Sequence, residues 1–331
     1  MTTPRPAPPH RASSTVLTLV VPLLLAGAAV AVALSWAPRL PDPVAVHWPA
    51  SGGPDGFGPL SEALVVPLVF LPLFSGGMWA LAFFAGHVAM TRRIAAASST
   101  GLAVLMSAVA VGTLAIQLDL ADAADAGSVD GVLALASVGA AVAATVAALL
   151  VPRDAPAPAT EPVDPAAPRA ELAPTERAAW TRTVTSPAGA WVGGGAVLGT
   201  AFLAIALDAP GMLVVPVGLG LLLASMLVLR VSVDGRGLVA RSPLGWPSVR
   251  IPLDEVVAAR ATQVDPFGEF GGWGYRVAVG GRVGLVLRKG QGIEVERTGG
   301  RVTVVTVDDA ATGAALLNTL ADRARSTTTA R

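Results

Sequence analysis

Six runs of apolar residues, each close to or above about 20 residues in length, constrain the fold of this 331-residue chain more than any other feature. About 20 helical residues cross the hydrocarbon core of a bilayer, and unpaired backbone groups are too costly there for other spanning structures. The chain is 53% hydrophobic and 14% charged, which is typical of a membrane protein. The sequence therefore predicts a polytopic α-helical membrane protein with six transmembrane helices, at residues 16–36, 63–85, 102–118, 132–151, 188–207 and 212–229.

The charges of the connecting segments predict the orientation of these helices, because cytoplasmic loops carry an excess of Lys and Arg. Basic residues gather before the first run and after the second, fourth and sixth, whereas the third connection, 119–130, has four aspartates and no basic residue. We therefore predict a multi-pass protein of the cell membrane with both termini in the cytoplasm and residues 41–58 outside. The basic residues concerned are Arg5, Arg11, Arg92, Arg93, Arg153, Arg169, Arg177, Arg182 and Arg230.

The runs themselves carry further signals. Arg11 precedes the first run as in a signal peptide, but about 20 residues exceed the usual signal-peptide core, so we expect a retained helix. Four prolines should kink helices or leave a carbonyl free, which neighbouring groups or water can satisfy: Pro22, Pro67, Pro72 and Pro216. Gly189/Gly193 and Gly195/Gly199 have spacing that permits close helix packing, although the ordinary glycine content of membrane helices explains them equally well.

The remaining segments complete the predicted organisation. Residues 152–174 are dense in Pro and Ala with no periodic apolar face, which indicates an extended, semi-rigid linker. We expect a cytoplasmic tail at 1–15, two helices with an outer loop at 16–86, a helical hairpin at 87–151, the linker at 152–186, two further helices at 187–230 and a cytoplasmic β domain at 231–325.

The chain changes from helical to strand patterning after Arg230. "VSVDGRGLVARSP", residues 231–243, predicts a hairpin with an Asp-Gly turn. Residues 310–325 show Ala314, Leu317 and Leu320 at helical spacing. The pattern predicts a partly open antiparallel β-barrel closed by one helix. Its further strands are expected at 249–252, 258–264, 275–279, 283–287, 293–297 and 302–307.

"LPDPVAVHWPASGGPDGFG", residues 40–58, resembles the motif of the DUF1648 family of bacterial membrane proteins. The likeness covers about 50 residues, and Pro59 and Leu60 stand where the family often has a lysine or similar polar residue. The resemblance implies a membrane protein related to a class that includes an immunity and signalling receptor for a secreted toxin; most members have no established activity. The residues on the recurring positions are Pro41, His47, Trp48, Gly53, Asp55, Gly56, Phe57 and Gly58.

The C-terminal strands resemble a bacterial pleckstrin-homology (PH)-like domain, best along "VDGRGLVARSPLGWPSVRIPLDEV", residues 233–256. A domain tethered beside a membrane helix is expected near the inner leaflet, where basic residues attract anionic lipid. A barrel that docks a protein partner or is purely structural is an equal alternative. Residues 266–276, with four aromatic residues, form either a contact loop or a barrel corner. The lipid-facing candidates are Arg236, Arg241, Arg250, Arg288 and Lys289.

His47 permits three interpretations: a packed residue of a compact surface loop, a contact for a ligand or partner, and a metal ligand or catalytic group. A lone histidine with two aspartates provides too few ligands for a typical zinc site. As ligand or partner contacts we consider His47, Trp48, Asp55 and Phe57, while Pro41, Gly53, Gly56 and Gly58 are expected to form turns. The four aspartates of 119–130 do not match the spacing of a calcium-binding EF-hand, so we expect a solvated acidic loop.

The absence of catalytic patterns in the sequence directs the functional prediction. No ionisable residue lies in the middle of any predicted span, which disfavours ion-coupled pumps and intramembrane proteases. There is no cysteine, and no nucleophile, base and orienting group converge. We predict non-enzymatic sensing, immunity or signalling through the His47 loop; the alternative is a transporter or efflux component for a small or lipidic substrate. Expected partners are membrane lipid, an extracellular ligand or peptide and a cytoplasmic protein, with no cofactor or metal and, at zero net charge, no nucleic acid.

Overall fold

The chain divides into two structural units, one helical and one built mainly of strands. We call Ala7–Asp154 with Leu203–Met212 the helical unit, and Ala155–Phe202 with Leu213–Arg331 the β unit. The computed structural model describes residues 7–49, 52–155, 157–173, 175–207, 210–245, 247–278 and 281–329. Part of the predicted tail, 1–6, and the predicted strand end at 279 lie outside these ranges.

Among the described residues, five helices are long and apolar enough to span a membrane: α1 (Arg11–Arg39), α2 (Val66–Ala85), α3 (Ala89–Ala115), α4 (Asp130–Leu150) and α5 (Pro187–Ala206). The sixth predicted run forms a shorter helix, α6 (Val214–Met226), whose 13 residues extend about 20 Å. It is short because Val228 and Leu229 already belong to a strand, and Leu229 is buried in the core of the β unit. Leu229 is therefore apolar because it packs in the core of the β unit, and the count of six membrane spans stays a prediction.

A proline shapes the first helix. Val16–Val20 of α1 is π-helical, and Pro22 lies two residues after its end. Because proline has no N–H, the carbonyl of Thr18 lacks its usual partner four residues later. The Ser99 hydroxyl, on α3, donates to that carbonyl at 2.7 Å, and both residues are buried. At Pro22 a side chain of the neighbouring helix α3 therefore satisfies the freed carbonyl.

A buried arginine joins three segments at one end of the helical unit. The Arg92 side chain, near the start of α3, is fully buried. It donates to the carbonyls of Gly86 and Pro152 at 2.7 and 3.1 Å, and to Asp154 Oδ1 at 2.9 Å. Asp154 Oδ2 also accepts from the backbone N–H of Ala89, the first residue of α3. The guanidinium therefore fastens the α2–α3 turn to the chain that follows α4.

Two short strands lie between α1 and α2 in the helical unit. β1 (Val44–His47) pairs antiparallel with β2 (Gly56–Gly58). Val44 is buried with Leu64 and Leu114 in a small apolar cluster, which anchors this hairpin on the helices. We call residues 41–58 the motif loop; its described residues, 41–49 and 52–58, form a β-hairpin.

The β unit contains two sheets that do not close into a barrel, which corrects that prediction. The first has the order β3-β4-β5-β6, with strands Trp180–Thr185, Val228–Asp234, Gly237–Arg241 and Ser248–Ile251. The second has the order β7-β10-β11-β9-β8, with strands Val256–Val264, Gly290–Arg297, Arg301–Thr306, Val283–Val286 and Gly274–Val277. The ladder between β9 and β11 is parallel, so the second sheet is mixed. The alternation of apolar and polar residues within a segment predicts a strand. Whether the strands close into a barrel depends on pairing between segments distant in sequence, which this alternation does not show.

A helix covers the core of the β unit. α7 (Ala310–Thr329) buries Ala310, Ala314, Leu317 and Ala321 completely. These residues recur every three or four positions, which places them on one helix face. The predicted closing helix is confirmed, and it extends four residues beyond the predicted end.

The segment expected to be a linker contributes to the β unit. Val163 and Ala167 are buried in its core, and the N–H of Asp164 donates to the carbonyl of Val257 at 3.2 Å. Arg169 forms an ion pair with Asp322 of α7 at 2.8 Å. β3, at the end of the same predicted linker, is a full member of the first sheet. Two isolated apolar residues create no periodicity, so the sequence pattern gives no sign of this docking.

The helices α5 and α6 lie between β3 and β4 in the sequence, although these two strands pair directly in the first sheet. The β3–β4 ladder ends at the pair Thr185–Val228, and the N–H of Ser186 donates to the carbonyl of Leu227 at 3.0 Å. A Cβ at Gly193 would lie 2.7 Å from the Leu223 side chain, so glycine permits close approach of the two helices. Nothing lies within 4 Å of a Cβ at Gly195 or Gly199. The first glycine pair therefore packs, and the second does not.

Candidate functional site

The motif loop brings His47 and Asp55 together. His47 ends β1, and Gly56 opposite it begins the pairing of β2. A Cβ at position 56 would lie 2.7 Å from the Cβ of His47, so only glycine fits there. The N–H of Asp55 donates to the His47 carbonyl at 3.2 Å, which places the two side chains on the same edge of the hairpin. The glycine expected to form a turn thus acts by allowing the backbone to approach His47.

The His47–Asp55 pair faces solvent. His47 Nδ1 lies 2.5 Å from Asp55 Oδ1, and the side chains are 68% and 53% exposed. Phe57, paired with Ala45 across the hairpin, is 43% exposed. An exposed ionisable pair on the same hairpin as an exposed aromatic side chain can offer charge, hydrogen bonds and an apolar contact to a ligand. Three of the four residues considered as contacts are therefore accessible, and Trp48 is half-buried.

Other residues hold the motif loop in place. The buried side chain of Gln117 accepts from the N–H of Ala45 at 2.7 Å and donates to its carbonyl at 3.1 Å. Trp48 Nε1 donates to the carbonyl of Gly127 at 3.1 Å. Pro41 and Gly58 are buried at the two ends of the loop. The position of the hairpin is thus set by contacts that do not involve the imidazole of His47.

The acidic segment 119–130 packs against the motif loop. Arg39 Nε donates to Asp119 Oδ1 at 3.0 Å, and this hydrogen bond lowers the pKa of the Asp119 carboxyl below its usual value. Gly53 lies beside this segment, since a Cβ there would be 3.5 Å from the carbonyl of Ala126. The described residues hold no group of three or more His, Asp or Glu that could bind a metal ion. The two loops form one layer at one end of the helical unit.

The five basic residues considered as lipid-facing fall into two groups. Arg236 pairs with Asp234 at 3.0 Å, Lys289 pairs with Asp265 at 2.9 Å, and Arg288 pairs with Asp308. Hydrogen bonds from Arg236 and Lys289 lower the pKa values of Asp234 and Asp265. Arg241 and Arg250 are exposed on the first sheet and form no ion pair with a described residue. The structure does not gather the five residues on one surface patch.

Sequence reasoning missed two contributors to these sites. Gln117 is a single amide near the end of an apolar run, and this position was the only sequence signal that its side chain forms buried hydrogen bonds. Arg230 was considered only as a topogenic charge, although it lies directly opposite Arg241 across the β4–β5 ladder. Cross-strand neighbours depend on register, which one strand alone does not reveal.

The helices and the motif hairpin define a protein of the membrane type, with several helices apolar enough to cross a bilayer. Residues 23–71 match the family described as Domain of unknown function (DUF1648), so the predicted resemblance is confirmed. The matched range comprises most of α1, the motif loop and the start of α2. No curated protein and no solved structure matched the chain. The resemblance of the C-terminal part to a PH-like domain stays a prediction.

Proposed function

We propose that this protein is a non-enzymatic sensor or receptor of the cell membrane, which binds an external ligand or peptide through the motif loop. The observation that carries this proposal is the exposed His47–Asp55 pair on a hairpin that other residues hold in place. Both side chains are more than half exposed, so a ligand outside the protein can reach them. In signalling, the β unit would relay the event to a cytoplasmic partner or anchor the protein at the inner leaflet.

The charge distribution supports an external position for the motif loop. The layer that this loop forms with segment 119–130 is rich in aspartate, and its Arg39 is paired with Asp119. The opposite connections contain Arg92, Arg93 and Arg153. Under the positive-inside rule, this asymmetry favours a cytoplasmic location for the arginine-containing end and both termini.

Labelling of single cysteines is expected to confirm this orientation. The chain has no cysteine, so Ser128→Cys and Ser326→Cys each provide one thiol, and both serines are exposed. In intact cells, a membrane-impermeant maleimide should label position 128 and leave position 326 unlabelled until the cells are permeabilised. Labelling of position 326 alone in intact cells would place the motif loop in the cytoplasm and exclude an external ligand.

Removal of the exposed pair is expected to abolish function without loss of stability. In cells that lack the gene, His47→Gln and Asp55→Asn should fail to restore the deletion phenotype. Their free energies of unfolding should stay within about 0.5 kcal/mol of the parent, because both sites are on the surface. The measurement combines complementation with membrane abundance and thermal unfolding of the purified protein.

Asp42→Asn is the matched control for this test. Asp42 is an exposed carboxylate of the same loop and has no ion pair among the described residues. It should complement fully. If His47→Gln and Asp55→Asn complement as well as Asp42→Asn, the pair has no role in recognition and the proposal is wrong.

A further inference from the structure

One end of the first sheet lies next to the apolar helices, without an intervening linker. β3 and β4 end their ladder at Thr185–Val228, α5 begins at Pro187, and α6 ends at Met226. Because α5 is a candidate membrane span, residues near this end of the sheet are within a few residues of the bilayer surface. We call it the helix-proximal end.

Four polar side chains form a row across the sheet near the helix-proximal end. Thr183 pairs with Arg230, Arg230 with Arg241, and Arg241 with Ser248. Residues directly opposite in antiparallel strands share a face, and all four are exposed. The row lies two residues from the Thr185–Val228 pair, which corresponds to about 7 Å along the strand. Two hydroxyls thus flank two guanidinium groups on the outer face.

The two arginines lack an acidic partner in the part of the chain that the structure describes. Neither Arg230 nor Arg241 forms an ion pair or a hydrogen bond through its side chain with any described residue. Two like charges directly opposite across a ladder repel each other. Arg236, at the other end of the β4–β5 hairpin, instead pairs with Asp234. The repulsion at the helix-proximal end would be relieved by an external anion that accepts hydrogen bonds from both guanidinium groups.

An exposed apolar residue accompanies the arginines. β5 runs toward the helices, so the turn that follows Arg241 lies at the helix-proximal end. Leu244 in this turn is 60% exposed, and the N–H of Ser242 donates to the Pro247 carbonyl at 3.0 Å. A leucine beside unpaired cations is the arrangement with which peripheral segments enter the interface of anionic membranes.

We propose that the row Thr183–Arg230–Arg241–Ser248 binds the phosphate groups of anionic phospholipids in the leaflet next to the β unit, with Leu244 inserted at the interface. The guanidinium groups donate to the phosphate oxygens, and the two hydroxyls add hydrogen bonds. Lipid is favoured as the source of the phosphate because α5 places the row beside the bilayer. This inference does not depend on the role proposed for His47.

The test uses the full chain in nanodiscs, with Leu244→Cys labelled by an environment-sensitive NBD fluorophore. As the phosphatidylglycerol fraction rises in a phosphatidylcholine background, NBD emission should shift to shorter wavelength. In the Arg230→Gln/Arg241→Gln variant, loss of about 1 kcal/mol per arginine corresponds to about thirty-fold weaker preference, so the shift should disappear over the same range. Arg236→Gln/Arg288→Gln removes the same formal charge at other positions and should keep the shift.

Three outcomes would overturn the proposal. One is an equal NBD shift in discs of phosphatidylcholine alone, which would show insertion without anion recognition. Another is equal loss of the shift in both double variants, which would indicate a general charge effect. The third is a full shift on addition of soluble glycerol phosphate to phosphatidylcholine discs, which would identify a site for a free anion. Complementation by the His47 variants affects none of these readouts.

Discussion

Asp154→Ala is expected to destabilise the helical unit by about 3–5 kcal/mol, because it leaves the charge of Arg92 buried without a counter-charge. The Arg92 side chain is fully buried, whereas Asp154 is 21% exposed. The two carbonyl acceptors, from Gly86 and Pro152, would remain, but they carry only partial charge. The loss should therefore be large even though two hydrogen bonds survive.

The double variant Arg92→Met/Asp154→Ala should recover part of this loss. Methionine fills much of the same volume and removes the buried charge, and such replacements are often neutral relative to the intact pair. Unfolding can be followed by the temperature at which a single thiol at the fully buried position Ala103 reacts with a maleimide. Arg153→Ala is the control, since Arg153 is exposed and has no ion pair among the described residues. Equal stability of Asp154→Ala and Arg153→Ala would contradict the role of the buried pair.

Arg92 illustrates what the sequence could and could not predict. Its positive charge and its position between two apolar runs predicted that a helix end lies there, and Arg92 is indeed near the start of α3. Its burial depends on Asp154, which is 62 residues away in the sequence. The same limit applies to Gln117, whose partner Ala45 lies 72 residues away. Local patterns predict elements and their ends, whereas partners distant in sequence depend on how the elements pack.

The motif loop and the first sheet show the same distinction. The residue types of the motif predicted tight turns. The structure shows why glycine is needed at position 56, where a side chain would collide with His47 across the hairpin. The strands after Arg230 were predictable because their apolar residues alternate. β3 was not, since only Trp180 and Val184 of its six residues are buried. Its partner β4 follows the intervening helices, so their pairing could not be found from neighbouring segments.

Glu255→Gln is expected to destabilise the β unit by about 3–5 kcal/mol. Glu255 Oε2 accepts from Arg297 Nη2 at 2.5 Å and from Arg301 Nη2 at 3.0 Å. The three side chains are only 5–11% exposed, so water can compensate little. Glutamine keeps the shape of the side chain but leaves two neighbouring positive charges buried together. Thermal unfolding should be measured by the reactivity of a single thiol at the fully buried position Ala314 of α7.

Glu296→Gln provides the matched control, because Glu296 is next to Arg297 on β10 but pairs with Arg260 at the surface. Its side chain is 47% exposed, and exposed pairs contribute about 0–1 kcal/mol. Arg297→Met in the Glu255→Gln background should recover stability, since it removes one of the two buried charges. A loss for Glu255→Gln no greater than for Glu296→Gln would show that the buried charges are solvated after all. A large difference would establish that Glu255 fixes the β10–β11 turn to the start of β7 through charge, and that its shape alone is not sufficient.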